Sequence, residues 1–340
     1  MEKDVIRDII ENIGISTKDK GKFIKLYMDN YKPSEISKDN FSEIKELDLK
    51  NKIAFVDGGN AEILKAANFS LQLIRVYYTI YQNNKRIENK RYEFYLLIKS
   101  SESNNKIVYK TKTFGDKILD ELEFDSFDKT LMQGTSRADV SFVGNVIRRF
   151  SELNIAKELV KKSAKDDIVV LDGSLEFKYT NEEKILDDIY SLCDNKEVIF
   201  CGFSKTCELL TDKGSSFIGL ISEMQPNYNW SYYPVAEFKD SKYDILFSKL
   251  SKRSNYIFRI DINHINKIND VLSLLMKNSN DPIFLGYPYG LVEADKFARV
   301  SNKELELLKT KFMIKAGKDW KSINNLLKTK DSHGILDRIS

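Results

Sequence analysis

Apolar positions in the first fifty residues recur at helical spacing, at Val5, Ile6, Ile9, Ile10 and Ile13 and again at Phe23, Ile24, Tyr27 and Met28. That spacing predicts two or three short helices, an N-terminal helical extension over residues 1–50. The pattern then changes. Ile53-Ala54-Phe55-Val56 is a short apolar run ending in Asp57-Gly58-Gly59, and Ser70 to Tyr81 and Arg91 to Lys99 are rich in β-branched and aromatic residues. Three strands are expected there. Between Glu102 and Ser136 the pattern weakens into polar linkers and one helix, and from Val140 to Lys161 a strong helical period returns, with Val143, Ile147, Phe150 and Leu153 as its buried stripe. A second apolar run, Ile168 to Leu171, ends in Asp172-Gly173-Ser174, and is followed by a helix near Glu182 to Cys193 and a third run, Val198 to Phe200. Strands near 236–238, 245–250 and 256–260, a helix from about His264 to Met276 and a helical segment beginning near Gly290 complete the pattern. Strands alternating with helices imply an α/β fold with a parallel or mixed sheet under helical cover. No linker is long or polar enough to divide residues 51–340, which read as one domain.

Composition narrows the classes. With 42% hydrophobic and 31% charged residues and only 15 Gly and 5 Pro, collagenous, low-complexity and disordered readings are excluded. A net charge of +3 makes no bulk demand for a nucleic-acid partner, so any basic surface must come from local clustering. There is no secretory-type apolar run at the start, and nothing approaches the roughly 18 continuous apolar residues of a membrane span; a cytoplasmic protein without membrane contact is expected. The three cysteines, Cys193, Cys201 and Cys207, fit no zinc spacing and read as reduced core residues. Only two histidines, His264 and His333, are present, which disfavours a histidine-rich metal site or a serine-histidine hydrolase. No GxxxxGK[ST] or GxGxxG loop follows a strand, against nucleotide-triphosphate hydrolysis and dinucleotide chemistry. Whatever chemistry occurs must lean on carboxylates.

Asp57 and Asp172 are the strongest candidates. Each follows four apolar residues and precedes glycine, and ligands in open α/β sheets sit at the carboxyl ends of strands, where two such aspartates suit one Mg²⁺ or Mn²⁺. The plainer reading is that Asp-Gly is a common turn dipeptide. Glu152 lies four residues after Arg148 and three after Arg149, so its plainer reading is a surface ion pair of little worth. Tyr287-Pro288 forms a turn at the entry of a helix that carries Glu293 and Asp295. Lys205 follows Gly202-Phe203-Ser204 at an expected helix start, where amides and an ammonium together can meet a phosphate, against the default of a solvated lysine.

Taken in order, five blocks resemble the NurA nuclease family: Ile53 to Gly59, Ile147 to Leu153, Val169 to Leu175, Gly202 to Thr206, and Gly286 to Asp295 running on into Phe297-Ala298. The resemblance implies a ribonuclease H-like mixed sheet flanked by helices and a Mn²⁺- or Mg²⁺-dependent deoxyribonuclease. It implies a 5′–3′ exonuclease on single- and double-stranded DNA, with single-strand endonuclease activity, acting in double-strand break end resection. The implied partners are DNA, a second copy in a toroidal homodimer and a HerA-type hexameric ATPase. Carried over by position, Asp57, Glu152 and Asp172 match the family's metal-binding acids and Tyr287 its active-site tyrosine. Asp295 stands where many members have histidine; an aspartate binds a hard metal but is no neutral imidazole base near pH 7. Lys205 would offset phosphoryl charge, and Tyr287 would hydrogen-bond a phosphate or stack on a base. Arg148, Arg149 and Lys178, with Tyr179 and Phe177 for stacking, are the expected DNA lining. Two alternatives stay open: an inactive ribonuclease H-like scaffold, and a carboxylate-metal nuclease acting on RNA. The N-terminal helices would dock a partner or simply pack on the sheet, and His333 would approach the metal site from the tail.

Overall fold

The run of β-branched and aromatic residues from Ser70 to Tyr81 folds as expected, and it is the middle of the longest strand system in the molecule. The computed structural model describes residues 2–15, 20–26, 31–239 and 241–327. In chain order the elements are α1 (Glu2–Ile15), β1 (Ile24–Lys25), β2 (Tyr31–Pro33), β3 (Phe41–Glu43), β4 (Ile53–Ala66), β5 (Phe69–Gln82), β6 (Lys85–Ser103), β7 (Lys106–Gly115) and β8 (Glu123–Asp125). There follow α2 (Val143–Lys162), β9 (Ile168–Asp172), α3 (Glu182–Lys196), β10 (Ile199–Ser204), β11 (Leu210–Thr211), α4 (Phe217–Met224), β12 (Trp230–Tyr232) and β13 (Ala236–Phe238). The chain closes with β14 (Asp244–Lys249), β15 (Phe258–Ile262), α5 (Ile268–Asn278), α6 (Tyr289–Ala298), α7 (Asn302–Ala316) and α8 (Trp320–Leu327).

The chain forms two compact units and passes between them several times. The first unit comprises Met1–Asn51, Asp166–Leu175 and Ile199–Tyr289; the second comprises Lys52–Lys165, Glu176–Val198 and Gly290–Ser340. In the first unit the strand order is β3-β12-β14-β15-β10-β9. Only β9 and β10 run parallel, Ile168 opposite Ile199 and Asp172 opposite Phe203, and the other pairs are antiparallel. Its core gathers Phe217, Ile221, Trp230, Tyr232, Ile245 and Phe247. In the second unit β4 to β8 form an antiparallel meander. Helix α2 lays Val143, Val146, Ile147 and Phe150 on Ile74, Phe94, Leu96 and Ile98 of that sheet, as the stripe of period 3.6 requires.

Three expectations are corrected. The second predicted N-terminal helix is in part a strand: Ile24, buried, pairs with Thr211 through β1 and β11, and cross-strand pairing overrides a weak local helical pattern. Tyr27 and Met28 lie outside the described residues, as does His333. The segment from Glu102 to Ser136 holds β7 and β8 and no α-helix; in β7 the alternation of Val108, Lys110 and Lys112 with Tyr109 and Thr111 is a strand pattern that the lysines obscure. Finally, β4 does not stop at Asp57. The strand is 14 residues long in all and runs on through Gly58 and Gly59, which pair with Val76 and Arg75.

Helix α1 forms where its apolar period places it, with Val5, Ile6, Ile9, Ile10 and Ile13 exposed. Among the described residues no helix is long and apolar enough to cross a membrane. The β6 strand is only partly covered: β7 pairs with it from Phe94 onward, leaving Lys85 to Arg91 exposed at the outer side of the β5–β6 pair.

Cys193 and Cys201 are buried and Cys207 is half-buried, none of them in a disulfide. Burial, with the nearby Asp194 charge adding to it, pushes the Cys193 thiol up to about 12. At pH 8 its thiolate is therefore scarce, and reactivity follows thiolate and access. Titration with an aromatic disulfide reagent should label one thiol per native chain, Cys207, and all three after denaturation; rapid labelling of three in the native state would contradict the packing.

Candidate functional site

The second unit supplies most of the acids. Asp57 sits inside β4, directly across from Tyr77 of β5, and is 6% exposed. One of its carboxylate oxygens accepts the Gly58 amide at 2.7 Å. The glycine after it is a point of close approach: a Cβ on Gly58 would lie 2.5 Å from Glu152 Oε1, so Glu152 would have to shift. This close approach brings α2 against β4 and puts Glu152 beside the aspartate's own backbone. Glu152 is 2% exposed and accepts Arg148 Nη1 at 2.7 Å, and the same nitrogen donates to the Gly58 carbonyl at 3.1 Å. The surface ion pair expected from the i, i+4 spacing is thus a buried carboxylate with a half-buried guanidinium over it.

Helix α6 is docked on β4 more closely still. A Cβ on Gly290 would fall 2.0 Å from the Phe55 ring, and one on Gly59 would fall 2.4 Å from the Ala298 carbonyl. The two contacts bracket Asp57. Between them α6 carries Asp295, and one carboxylate oxygen of Asp57 and one of Asp295 lie within 4.8 Å of each other. Asp295 also accepts Arg299 at 2.9 Å, one turn on. On the side of α6 that meets β5, Glu293 is buried and accepts Tyr77 Oη at 3.0 Å, Tyr81 Oη at 2.5 Å, Thr79 Oγ1 at 3.3 Å and Arg86 Nη1. Burial alone would raise its carboxyl, but the bonds from Tyr81, Arg86 and Tyr77 and the Arg86 charge hold it below the usual range. Burial and the bond to Glu293 push the Tyr77 phenol up.

The remaining sequence-derived residues of this unit divide. Arg149 is buried and spends its guanidinium on Glu182 of α3 at 2.7 Å, so it is withdrawn from the expected DNA lining. Lys178 and Phe177 are exposed and Tyr179 is half-buried, edge-on to Phe142 at 6.3 Å.

The first unit holds the other acid. Asp172 ends β9, beside β10 with Phe203 as its parallel partner, and Lys205 Nζ lies 2.6 Å from Asp172 Oδ2. Strand β10 stops at Ser204 and no helix starts there, which corrects the expectation of a helix N-terminus at Lys205. What meets its ammonium instead is the carboxylate and the Tyr287 ring, whose centroid is 5.6 Å away. That ring is 1% exposed, stacked on Phe284 at 4.8 Å and edge-on to Phe203 and Phe258 at 5.4 Å each. Its faces are covered, so stacking on a base is not open to it. The two Asp-Gly ends, alike in sequence, are thus different: Asp57 is mid-strand, whereas Asp172 does end its strand.

Among the described residues four buried carboxylates, Asp167, Glu182, Asp261 and Glu293, have no role in the sequence reading. Asp261 is paired with Arg259 at 2.7 Å and accepts the Leu175 amide at 2.9 Å, tying down the loop after Asp172. Glu293 was visible only as a carboxylate on a helix. A signal for it existed in the alternation of hydroxyls at Tyr77, Thr79 and Tyr81, which places three donors on one strand face.

The chain is similar to proteins of known kind. A family model for the NurA domain matches residues 51–300. The crystal structure of the NurA nuclease from Sulfolobus solfataricus superposes with a TM-score of 0.53 at 14% identity, covering 93% of this chain and 95% of that one. Endonuclease V of Ciona intestinalis, solved with a 24mer DNA containing inosine and a ribo-adenosine, gives a TM-score of 0.40 at 11% identity over 77% of this chain and 89% of that one. The catalytic domain of human endonuclease V gives 0.39 at 10% identity, over 74% and 81%. No curated protein matches. The first of these likenesses, spanning nearly the whole of both chains, shows the fold to be the mixed α/β, ribonuclease H-like one that the resemblance implied.

Proposed function

Because the chain belongs to the NurA family, we propose that this nuclease is a metal-dependent deoxyribonuclease that hydrolyses phosphodiester bonds in single- and double-stranded DNA. The observation that carries the reading is the pair Asp57 and Asp295, two carboxylates held within 4.8 Å of each other by a helix docked on glycine. Within the second unit Asp57 and Asp295 each offer one carboxylate oxygen and Glu152 stands beside Gly58; Asp172 is the further ligand that the family resemblance adds. An all-oxygen anionic donor set fits a hard divalent ion such as Mn²⁺ or Mg²⁺. When bound, the ion supplies Lewis-acid polarisation of the scissile phosphate and a lower pKa for the attacking water.

The protein's own groups do the rest. The Lys205 ammonium, oriented by Asp172, offsets phosphoryl charge. Asp295 takes the place of a histidine by binding metal rather than by proton transfer. Arg148, Lys178 and Lys205 line the path of the DNA backbone, with Phe177 and Tyr179 beside it. Beyond the chemistry, the family reading extends to 5′–3′ exonuclease and single-strand endonuclease activity in end resection, a homodimer, and work with a HerA-type ATPase in the cytoplasm.

The test is digestion of 5′- and 3′-labelled single- and double-stranded DNA, and of matched RNA, in Mn²⁺, Mg²⁺ or EDTA, with and without a HerA-type ATPase. DNA degradation that EDTA stops is the expected result. Cleavage of RNA alone moves the substrate class, and no cleavage with any metal leaves an inactive scaffold. The same lining predicts a salt dependence: with three phosphate contacts, affinity for DNA should fall about 40-fold between 50 and 200 mM salt, measured by fluorescence anisotropy in EDTA. A flat response would remove the lining residues from the interface.

A further inference from the structure

We infer that Glu293 is the positioning residue of this metal site: it fixes α6, and with it Asp295, against the strand pair that carries Asp57. The inference rests on the metal reading above and adds a residue that contributes no ligand. A carboxylate has about four lone-pair sites, and here both oxygens are taken. Oε1 accepts Tyr77 and Arg86; Oε2 accepts Thr79 and Tyr81. The group is saturated by protein donors, so its influence on a bound ion must run through α6.

The geometry favours that route. Glu293 and Asp295 are two positions apart on α6, about 200° around the axis, so one can root in β5 while the other approaches Asp57. Tyr77, which donates to Glu293, is the cross-strand partner of Asp57, and its ring packs on Phe297 of α6 at 5.0 Å. A single side chain thus links the strand position of one ligand to the helix that bears the other. Apolar packing would hold α6 on the sheet without a buried charge, and a buried carboxylate is costly unless fully partnered. What four directional bonds add is a unique rotation and height of the helix, which non-directional burial does not specify.

The experiment is Mn²⁺ titration of the full chain followed by electron paramagnetic resonance of the free ion, with the half-saturating Mn²⁺ for DNA digestion as a second readout. Glu293→Gln should weaken Mn²⁺ binding at least ten-fold, and saturating Mn²⁺ should restore most of the turnover. Tyr81→Phe, which removes one donor and keeps the ring, should weaken it about three-fold. Glu304→Gln is the control: it breaks a comparable clamp, Glu304 with Arg75, that ties α7 to β5, and should cost stability without changing Mn²⁺ affinity. Wild-type affinity in folded Glu293→Gln, or an equal loss in Glu304→Gln, overturns the inference. If Glu293→Gln does not fold, Tyr81→Phe and Tyr77→Phe decide it, and unchanged affinity in both rejects the role. A wild type that binds no Mn²⁺ fails differently, removing the metal reading itself.

Discussion

Asp57→Asn is expected to lower Mn²⁺-dependent DNA digestion by about 10³-fold or more, which corresponds to roughly 4 kcal/mol of lost transition-state stabilisation. The substitution keeps the shape of the side chain and replaces one anionic oxygen with an NH₂ group that cannot bind a cation. Little else should change. Asp57 lies within a strand paired along its length with β5, and the oxygen that receives the Gly58 amide can be retained as the asparagine carbonyl. Initial rates on end-labelled duplex at saturating Mn²⁺, with circular dichroism as the check on folding, measure the effect. Asp172→Asn should behave alike, and it also removes the anion that orients Lys205. Retention of more than a tenth of the wild-type rate by either variant would take that residue out of the ligand set.

The largest expected effect on stability lies away from the acids. Glu182 is fully buried, bonds Arg149 Nε at 2.7 Å through one oxygen, and accepts the amides of Lys178 and Tyr179 at 2.7 and 3.1 Å through the other. Glu182→Ala strands a buried guanidinium and two N–H donors at once. Breaking a buried ion pair from one side costs about 3–5 kcal/mol, because a charge is left without compensation. Urea denaturation should show a lower midpoint with an unchanged slope, since the surface exposed on unfolding is the same. A loss below about 1 kcal/mol would mean that Arg149 reaches water once freed.

How much of this was legible in the sequence depends on where the decisive contact comes from. Helix α2 was readable because its stripe is local, and β9 because four apolar residues precede its terminal aspartate. Asp57 was readable as an acid but not as a mid-strand one: Asp-Gly-Gly is written like a turn, and only pairing with Val76 and Arg75 keeps the strand going. Glu152 followed the same logic, since an i, i+4 ion pair looks the same at a surface and beneath a glycine. The approach of Asp295 to Asp57 depends on the absence of a side chain at Gly290, a close contact that no periodicity reports. Glu293 needed donors from both β5 and β6, elements far from it in the chain.

The uncovered stretch of β6 has a bearing on how the protein behaves at high concentration. A long strand edge left unpaired is a template for other chains. Here the seven exposed residues from Lys85 to Arg91 include Lys85, Lys90 and Arg91 against the one acid Glu88, Arg86 being paired with Glu293, so two such edges meeting in solution repel. That guard is electrostatic and therefore weakens as ions are added. Colloidal stability of this protein should thus be set less by its small net charge than by three cations on one ribbon, and high salt is the condition in which it would first be lost.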